Sequence, residues 1–518
     1  MRPVRSLLNP ILLAVAVAVS TSAAEPPHPS FAARIDAYVA RPRLLVLTDI
    51  ANEPDDQMSM VRLLVYSNQY DIEGIVATTS TWMRNRVRPD VIRSVIDAYE
   101  RVRPNLLKHE AGFPDASALR SVVSSGQPGY GMAAAAAGKS SEGSAAIVRA
   151  VDKVDGRPLW IAAWGGTNTL AQALMDVRAS RSASEVDSFV SKIRVYSISD
   201  QDDAGPWIRG EFPSLFYVVS PSTPDGEQYY MATWTGISGD RFYRNAPGAD
   251  FTTFSDDWVN ANIRAQGPLG QLYPKPCCIH EGDTPSFLGL IGNGLDAFMN
   301  PSWGGWGGRY VWRQPSGEPR AIWTQGGDSY PGNDNSRDTA VGVDGKPYTS
   351  DQATIWRWRT AFQQDFAARM AWSADAAHAN HNPVVLVNGT DGKAPITIDA
   401  TVGTPITLDA SATRDPDGNA LTYSWFYYPE AGTGIPGHPV YEGGLRAAFA
   451  PSAGGIPPSP EGGPPQPAPR VTLDRSDTSR VTVTPKVAGT AHVILAVTDD
   501  GTPTLTSYRR VILTIQNN

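Results

Sequence analysis

The chain has 518 residues, a formal net charge of -8 and two cysteines. That length supports more than one domain and a sizeable core, and so mild an acidity argues against a nucleic-acid surface. Cys277 and Cys278 are adjacent, so they cannot staple distant segments; a strained disulfide and two free thiols both stay open.

Arg2 and Arg5 precede an apolar run, Ile11 to Val19, and then Ser22-Ala23-Ala24. This is the pattern of a signal peptide over residues 1–24, cleaved after Ala24, and it predicts a secreted or periplasmic protein. The run is short for a bilayer span and no later stretch is longer, so no membrane partner is expected.

The short apolar run Leu44 to Leu47 reads as a strand buried on both faces. The loop after it carries four carboxylates, Asp49, Glu53, Asp55 and Asp56, with Asn52 among them. Met58, Val61, Leu64 and Val65 then recur at helical spacing, and Ile72 to Thr78 forms a second strand. An acidic turn that caps the helix is one reading of the loop. Four carboxylates at the mouth of a buried strand repel one another without a cation, which favours a hard-cation site.

Further units follow. Val91 to Tyr99 predicts a helix ended by Pro104, and the Ala-, Gly- and Ser-rich residues 124–144 predict a mobile loop offering Tyr130 and Met132 as contacts. Pro158 to Ala163 is a strand with Trp164-Gly165-Gly166-Thr167-Asn168 as its loop. Ile193 to Ile198 is another, ending at Ser199-Asp200-Gln201-Asp202-Asp203. Repetition of strand, polar loop and helix predicts a doubly wound α/β sheet with its polar residues on one edge. The glycines of these strand–loop–helix units form no G-x-G-x-x-G fingerprint and there is no P-loop, so nucleotide phosphate binding is not supported.

Later come His280-Glu281-Gly282-Asp283-Thr284-Pro285-Ser286 and an aromatic group, Trp303, Trp306, Tyr310, Trp312 and Trp323. Exposed sugar-stacking faces and buried loop anchors fit the aromatics equally. Ile355, Trp358, Phe362, Phe366 and Met370 mark an amphipathic helix. Beyond a polar linker, His378 to Pro383, the apolar period becomes two, as in Ile396, Ile398, Ile406 and Leu408. The expected organisation is an α/β domain over 41–378 and a small antiparallel, immunoglobulin-like all-β sandwich over 382–518.

Thr48 to Asp56, Ser199 to Asp203 with Gly205-Pro206-Trp207-Ile208-Arg209, and Glu281 to Ser286 resemble the nucleoside hydrolases. Within that superfamily they look most like the nucleoside-hydrolase-like domain of secreted cellulose-binding proteins, which also carry a C-terminal sandwich. The resemblance implies a three-layer α/β fold and a calcium site. It matches Asp49 to a metal ligand that also activates water, Asp56 to a second metal carboxylate, and Asp55 to a sugar-hydroxyl partner. Thr167 matches a carbonyl ligand of calcium with Asn168 beside it, and Asp283 the late aspartate that closes the site. Glu211-Phe212 is similar to a sugar-binding step, with Pro213 where asparagine is expected. Asn52, Asp200 and Glu281 join the substrate-binding group. Asp200, Asp202 and Asp203 can bind sugar hydroxyls or cap the next helix. His280 is either the leaving-group acid or a structural histidine.

An oxygen-only ligand set selects Ca2+ over zinc. The expected function is therefore a secreted calcium-dependent glycoside hydrolase acting on a glycan fragment or furanosyl compound. The alternatives are a non-catalytic carbohydrate-binding protein, with polysaccharide held by the sandwich, and a nucleoside N-ribohydrolase.

Overall fold

The computed structural model describes residues 34–222, 229, 232–243, 247–276, 279–315, 317–325, 336–375, 377, 379–432 and 470–518. Residues 1–33, which include the expected signal peptide, Cys277-Cys278 and most of the Pro- and Gly-rich stretch before residue 470 lie outside the described residues.

Eight strands form the central sheet: β1 (Arg43–Thr48), β2 (Asp71–Ala77), β3 (Val123–Ser125), β4 (Leu159–Ala163), β5 (Ile193–Ser197), β6 (Phe216–Val219), β7 (Val311–Arg313) and β8 (Ile322–Thr324). Their order is β3-β2-β1-β4-β5-β6-β8-β7. All neighbours pair in parallel except β7 with β8, so the sheet is mixed. Every residue of β1 is buried because the sheet is covered on both sides. Leu44 and Val46 enter one core and Leu45 and Leu47 the other, as the two-residue period of a strand requires.

The helices that position the site are α1 (Asp55–Val65), α2 (Pro89–His109), α3 (Ala116–Ser121), α4 (Glu142–Asp152), α5 (Asn168–Ser180), α6 (Ala183–Ser191) and α7 (Ala204–Glu211). Pro104 does not end α2, contrary to the sequence expectation; it lies inside the helix. Pro104 and Glu100, whose carbonyl loses its donor, are both exposed, so the break falls on the solvent side of the helix. The apolar face through Val95, Tyr99, Val102 and Leu106 runs on unbroken.

A hairpin, β9 (Asp338–Val341) and β10 (Pro347–Ser350), precedes the long helix Arg359–Ala374. The C-terminal strands are β11 (Ile396–Thr401), β12 (Ile406–Asp409), β13 (Leu421–Tyr427), β14 (Val471–Asp474), β15 (Arg480–Pro485), β16 (Gly489–Asp499) and β17 (Thr506–Gln516). They form sheets of order β11-β17-β16-β13 and β12-β15-β14. One correction applies: β11 pairs with β17 in parallel, so the sandwich is not wholly antiparallel.

The sandwich is also no appendage on a hinge. Along β17, Val511, Leu513 and Ile515 fill its own core, while Tyr508 joins the core of the α/β domain. The Trp358 ring lies 5.5 Å from Tyr508 and 6.0 Å from Tyr428. Arg510 donates to the carbonyls of Leu295, Trp303 and Gly304. Trp303, Trp306, Tyr310 and Trp323 are all buried, which removes the sugar-stacking reading of those four. Among the described residues, no helix is long and apolar enough to cross a membrane.

Candidate functional site

The strand order runs outward from β1 through β2 to β3, then resumes at β4 on the other side. The carboxyl ends of β1 and β4 therefore flank a topological switch point, where open α/β sheets bind ligands. The acidic loop leaves β1 there. Ala51 takes a left-handed conformation, φ +80°, which turns the loop back so that α1 starts at Asp55. The Thr48 hydroxyl donates to Asp56 and accepts the Ile50 N–H, tying strand end to helix start.

Two glycines let other loops close on these carboxylates. A Cβ on Gly165, in the loop after β4, would sit 2.6 Å from Asp49 Oδ1, and one on Gly282 would sit 2.7 Å from Asp55 Oδ2. Gly282 delivers Asp283, and one carboxylate oxygen from each of Asp55, Asp56 and Asp283 falls within 4.8 Å of the others. Asp49 Oδ2 and Asp283 Oδ2 are buried and accept no hydrogen bond. Buried anionic oxygens without donors are costly. A hard divalent cation suits that deficit, so the residues present fit calcium.

Burial raises the Asp49 carboxyl to about 7, with Glu53 and Asp55 adding repulsion against a hydrogen bond from Ser80. Burial and Glu53 likewise raise Asp55 to about 7. Asp56 and Asp283 are pushed well up by burial and by their acidic neighbours. Folded pKa values above the unfolded ones mean the native state binds the extra protons, so stability is lost as pH rises. In calcium-free protein, melting temperature is expected to fall between about pH 4 and 7, the interval between the ordinary aspartate value and that of folded Asp49 and Asp55. Added calcium should restore it most strongly at the alkaline end. A metal-free melting temperature that climbs over that interval would contradict this electrostatic picture.

The other sequence candidates divide. Asn52 is exposed and its amide donates to Glu53 at 2.5 Å. Thr167 sits at the foot of α5; its carbonyl accepts from Ala171 and its hydroxyl donates to Asp202. Asn168 is buried, with its side chain donating to the carbonyl of Gly129 at 2.8 Å. Neither lines the cleft above the carboxylates. Asp200 is held by both terminal nitrogens of Arg209, at 2.8 and 2.9 Å. Asp202 accepts the N–H groups of Asn168 and Ala204; Asp203 accepts that of Met132. Glu211 makes an exposed pair with Arg178. Glu281 is wholly buried against Arg62, at 2.5 and 3.1 Å, and also accepts from Tyr273 and Thr284. Asp200, Glu211 and Glu281 are thus spent on arginines rather than presented to a ligand.

His280 also turns away from the cleft lining. Its backbone exchanges hydrogen bonds with Ser238 and its ring packs on Phe254 at 5.3 Å. Burial lowers it to about 4, so at neutral pH its ring is uncharged and a poor acid.

The sequence reading overlooked the upper part of the cleft. The space above Asp49, Glu53, Asp55, Asp56 and Asp283 measures about 640 Å³ with its open mouth, and Trp82, Tyr229, Trp234, Phe242 and Tyr243 wall it. Trp82 and Phe242 are 45% and 57% exposed, and Tyr229 packs edge-on against both Trp82 and Trp234. Trp82 was within reach of sequence reasoning, since it follows a strand end on the ligand edge. The others come from an aperiodic stretch that gives no such signal. Gln201 also lines the cleft.

An acidic cleft at the switch point of this sheet, with a sandwich fused behind it, defines a nucleoside-hydrolase-like α/β protein. The family model described as "Cellulose-binding Sde182, nucleoside hydrolase-like domain" matches residues 43–310, and "Cellulose-binding protein Sde0182, C-terminal domain" matches residues 405–515. The chain belongs to this family. It is similar, at 34% identity and a TM-score of 0.71, to a nucleoside hydrolase-related hypothetical protein from Saccharophagus degradans associated with carbohydrate metabolism, over 92% of this chain and 100% of that one. The effector protein XOO4466 is a far more distant likeness, at 10% identity and a TM-score of 0.30 over 65% of this chain and 94% of its own. No curated protein matches the chain.

Proposed function

We propose that the protein is an exported, calcium-dependent glycoside hydrolase acting on a neutral glycan fragment or furanosyl compound. The observation that carries this reading is the convergence of Asp55, Asp56 and Asp283 beside two undonated carboxylate oxygens, under a partly exposed aromatic wall. Asp55, Asp56 and Asp283 would hold the cation together with Asp49. Calcium in that position would lower the pKa of a bound water and orient it. Asp49 is the group suited to take the water's proton. Glu53 lines the cleft, lies outside the three-carboxylate group, and has its carboxyl raised by burial. It replaces His280 as the candidate donor to a leaving group. The aromatic faces suit the C–H face of a sugar ring. Among the described lining residues there is no Lys, Arg or His, so apart from the cation a sugar phosphate or uronate would find no side-chain charge to pair with.

A non-catalytic carbohydrate-binding protein is the second reading, favoured by the withdrawal of His280 from the cleft and by the family's cellulose-binding description. Polysaccharide contact through the sandwich rests on that description alone. The deciding assay incubates the full chain, with calcium or with chelator, with cellobiose, cellotetraose, an aryl arabinofuranoside and inosine. Calcium-dependent release of reducing sugar from a glycoside is the expected result. Sugar binding without turnover would establish the second reading, and cleavage of inosine alone would make the protein a nucleosidase.

A further inference from the structure

Gln201 stands in the middle of the acidic motif Ser199-Asp200-Gln201-Asp202-Asp203, whose aspartates brace the protein itself. The aspartates are anchors: Asp200 grips Arg209, Asp202 takes the N–H groups of Asn168 and Ala204, and Asp203 takes that of Met132. Gln201, between them, is the member that lines the cleft. It is 8% exposed, and its Oε1 is buried and accepts no hydrogen bond.

The orientation of that amide is dictated by its neighbour. Nε2 donates to the backbone carbonyl of Trp164. A carbonyl can only accept, so the nitrogen must face it and the oxygen must point elsewhere. The backbone is pinned too, because the Gln201 carbonyl accepts the Thr81 N–H at 2.7 Å, one residue before Trp82 of the aromatic wall. A neutral amide acceptor is thereby locked at a cleft whose other polar side chains are carboxylates and the Tyr and Trp groups of its wall. Native proteins seldom leave such an acceptor unpaired.

We propose that Gln201 Oε1 accepts a hydrogen bond from a hydroxyl of the bound sugar and is a specificity-determining contact of the cleft. The inference rests on the sugar-site reading above and deepens it: the ligand must present an O–H donor at this point, so a deoxy or carboxylated sugar ring is disfavoured there. An amide oxygen is also an acceptable calcium ligand, and the experiment separates the two roles.

The full chain with calcium is titrated calorimetrically with D-glucose, D-xylose, D-ribose, L-arabinose and cellobiose, then with monodeoxy forms of whichever sugar binds. Gln201→Met, close in length and volume, is expected to weaken that sugar about tenfold, the size of one lost hydrogen bond, with calcium affinity unchanged. One monodeoxy sugar should lose the same factor on the wild type and nothing on the variant, which a merely structural role would not produce. Gln201→Asn, which withdraws the oxygen by one methylene, should show the same pairing should the Met variant fold poorly. Equal sugar affinity in wild type and variants would overturn the inference and leave the sugar-site reading standing. Lost calcium affinity would make Gln201 a metal ligand instead. If none of the five sugars binds the wild type, the sugar-site reading fails and this inference falls with it.

Discussion

Asp49→Asn is expected to cut glycoside turnover by about a hundredfold or more, as loss of a general base does, and to weaken calcium binding, while making the calcium-free protein more stable. The two signs come from one cause. Asp49 is 2% exposed, with one oxygen that no donor reaches. Its negative charge raises the carboxyls of Asp56 and Asp283, and those of Glu53 and Asp55 raise its own. A neutral amide of the same size removes a ligand charge and the proposed base. It also relieves the repulsion that the empty cluster suffers at pH 8. Strand β1 and the Gly165 approach are untouched by an isosteric change, so the fold should survive. Calcium titration, turnover, and melting temperature in chelator, measured side by side, test all three. Undiminished calcium binding and undiminished turnover would remove Asp49 from the site.

The second large effect belongs to the domain junction. Trp358→Ala is expected to cost about 3–5 kcal/mol, the range for a large buried aromatic. It should lower a single calorimetric unfolding transition rather than one of two. Trp358 is buried and packs on Tyr428 and Tyr508 of the sandwich as well as lying in the α/β core. The Arg510 guanidinium finds its acceptors in carbonyls across the junction, and Tyr508 N–H donates to the Asn293 carbonyl at 3.0 Å. A chain cut near His378 would expose this apolar surface and leave those carbonyls unpaired. Two separate transitions, with only the first moved by Trp358→Ala, would show that the halves fold independently.

The sequence by itself determined what depends on neighbours along the chain. An all-apolar run such as Leu44 to Leu47 belongs to a strand covered on both faces, and helical spacing from Met58 to Val65 belongs to α1, because side-chain periodicity is a local property. The acidic loop between them was legible for the same reason: its four carboxylates lie within eight consecutive residues, Asp49 to Asp56. What each carboxylate does was decided by tertiary structure. Asp283 reaches Asp55 and Asp56 only because Glu281 and Thr284 on either side of it dock its loop on Arg62 and Ser59 of α1. Glu281, two residues earlier, is neutralised by Arg62 from α1, 219 residues away in sequence, and so becomes an anchor instead of a ligand contact. Asp200 meets the same fate with Arg209. A carboxylate is left free for a ligand where the fold supplies no cation of its own, and is a brace where an arginine arrives. That difference is set by the path of the chain through space, and so are the aromatic wall over the site and the core shared with the sandwich.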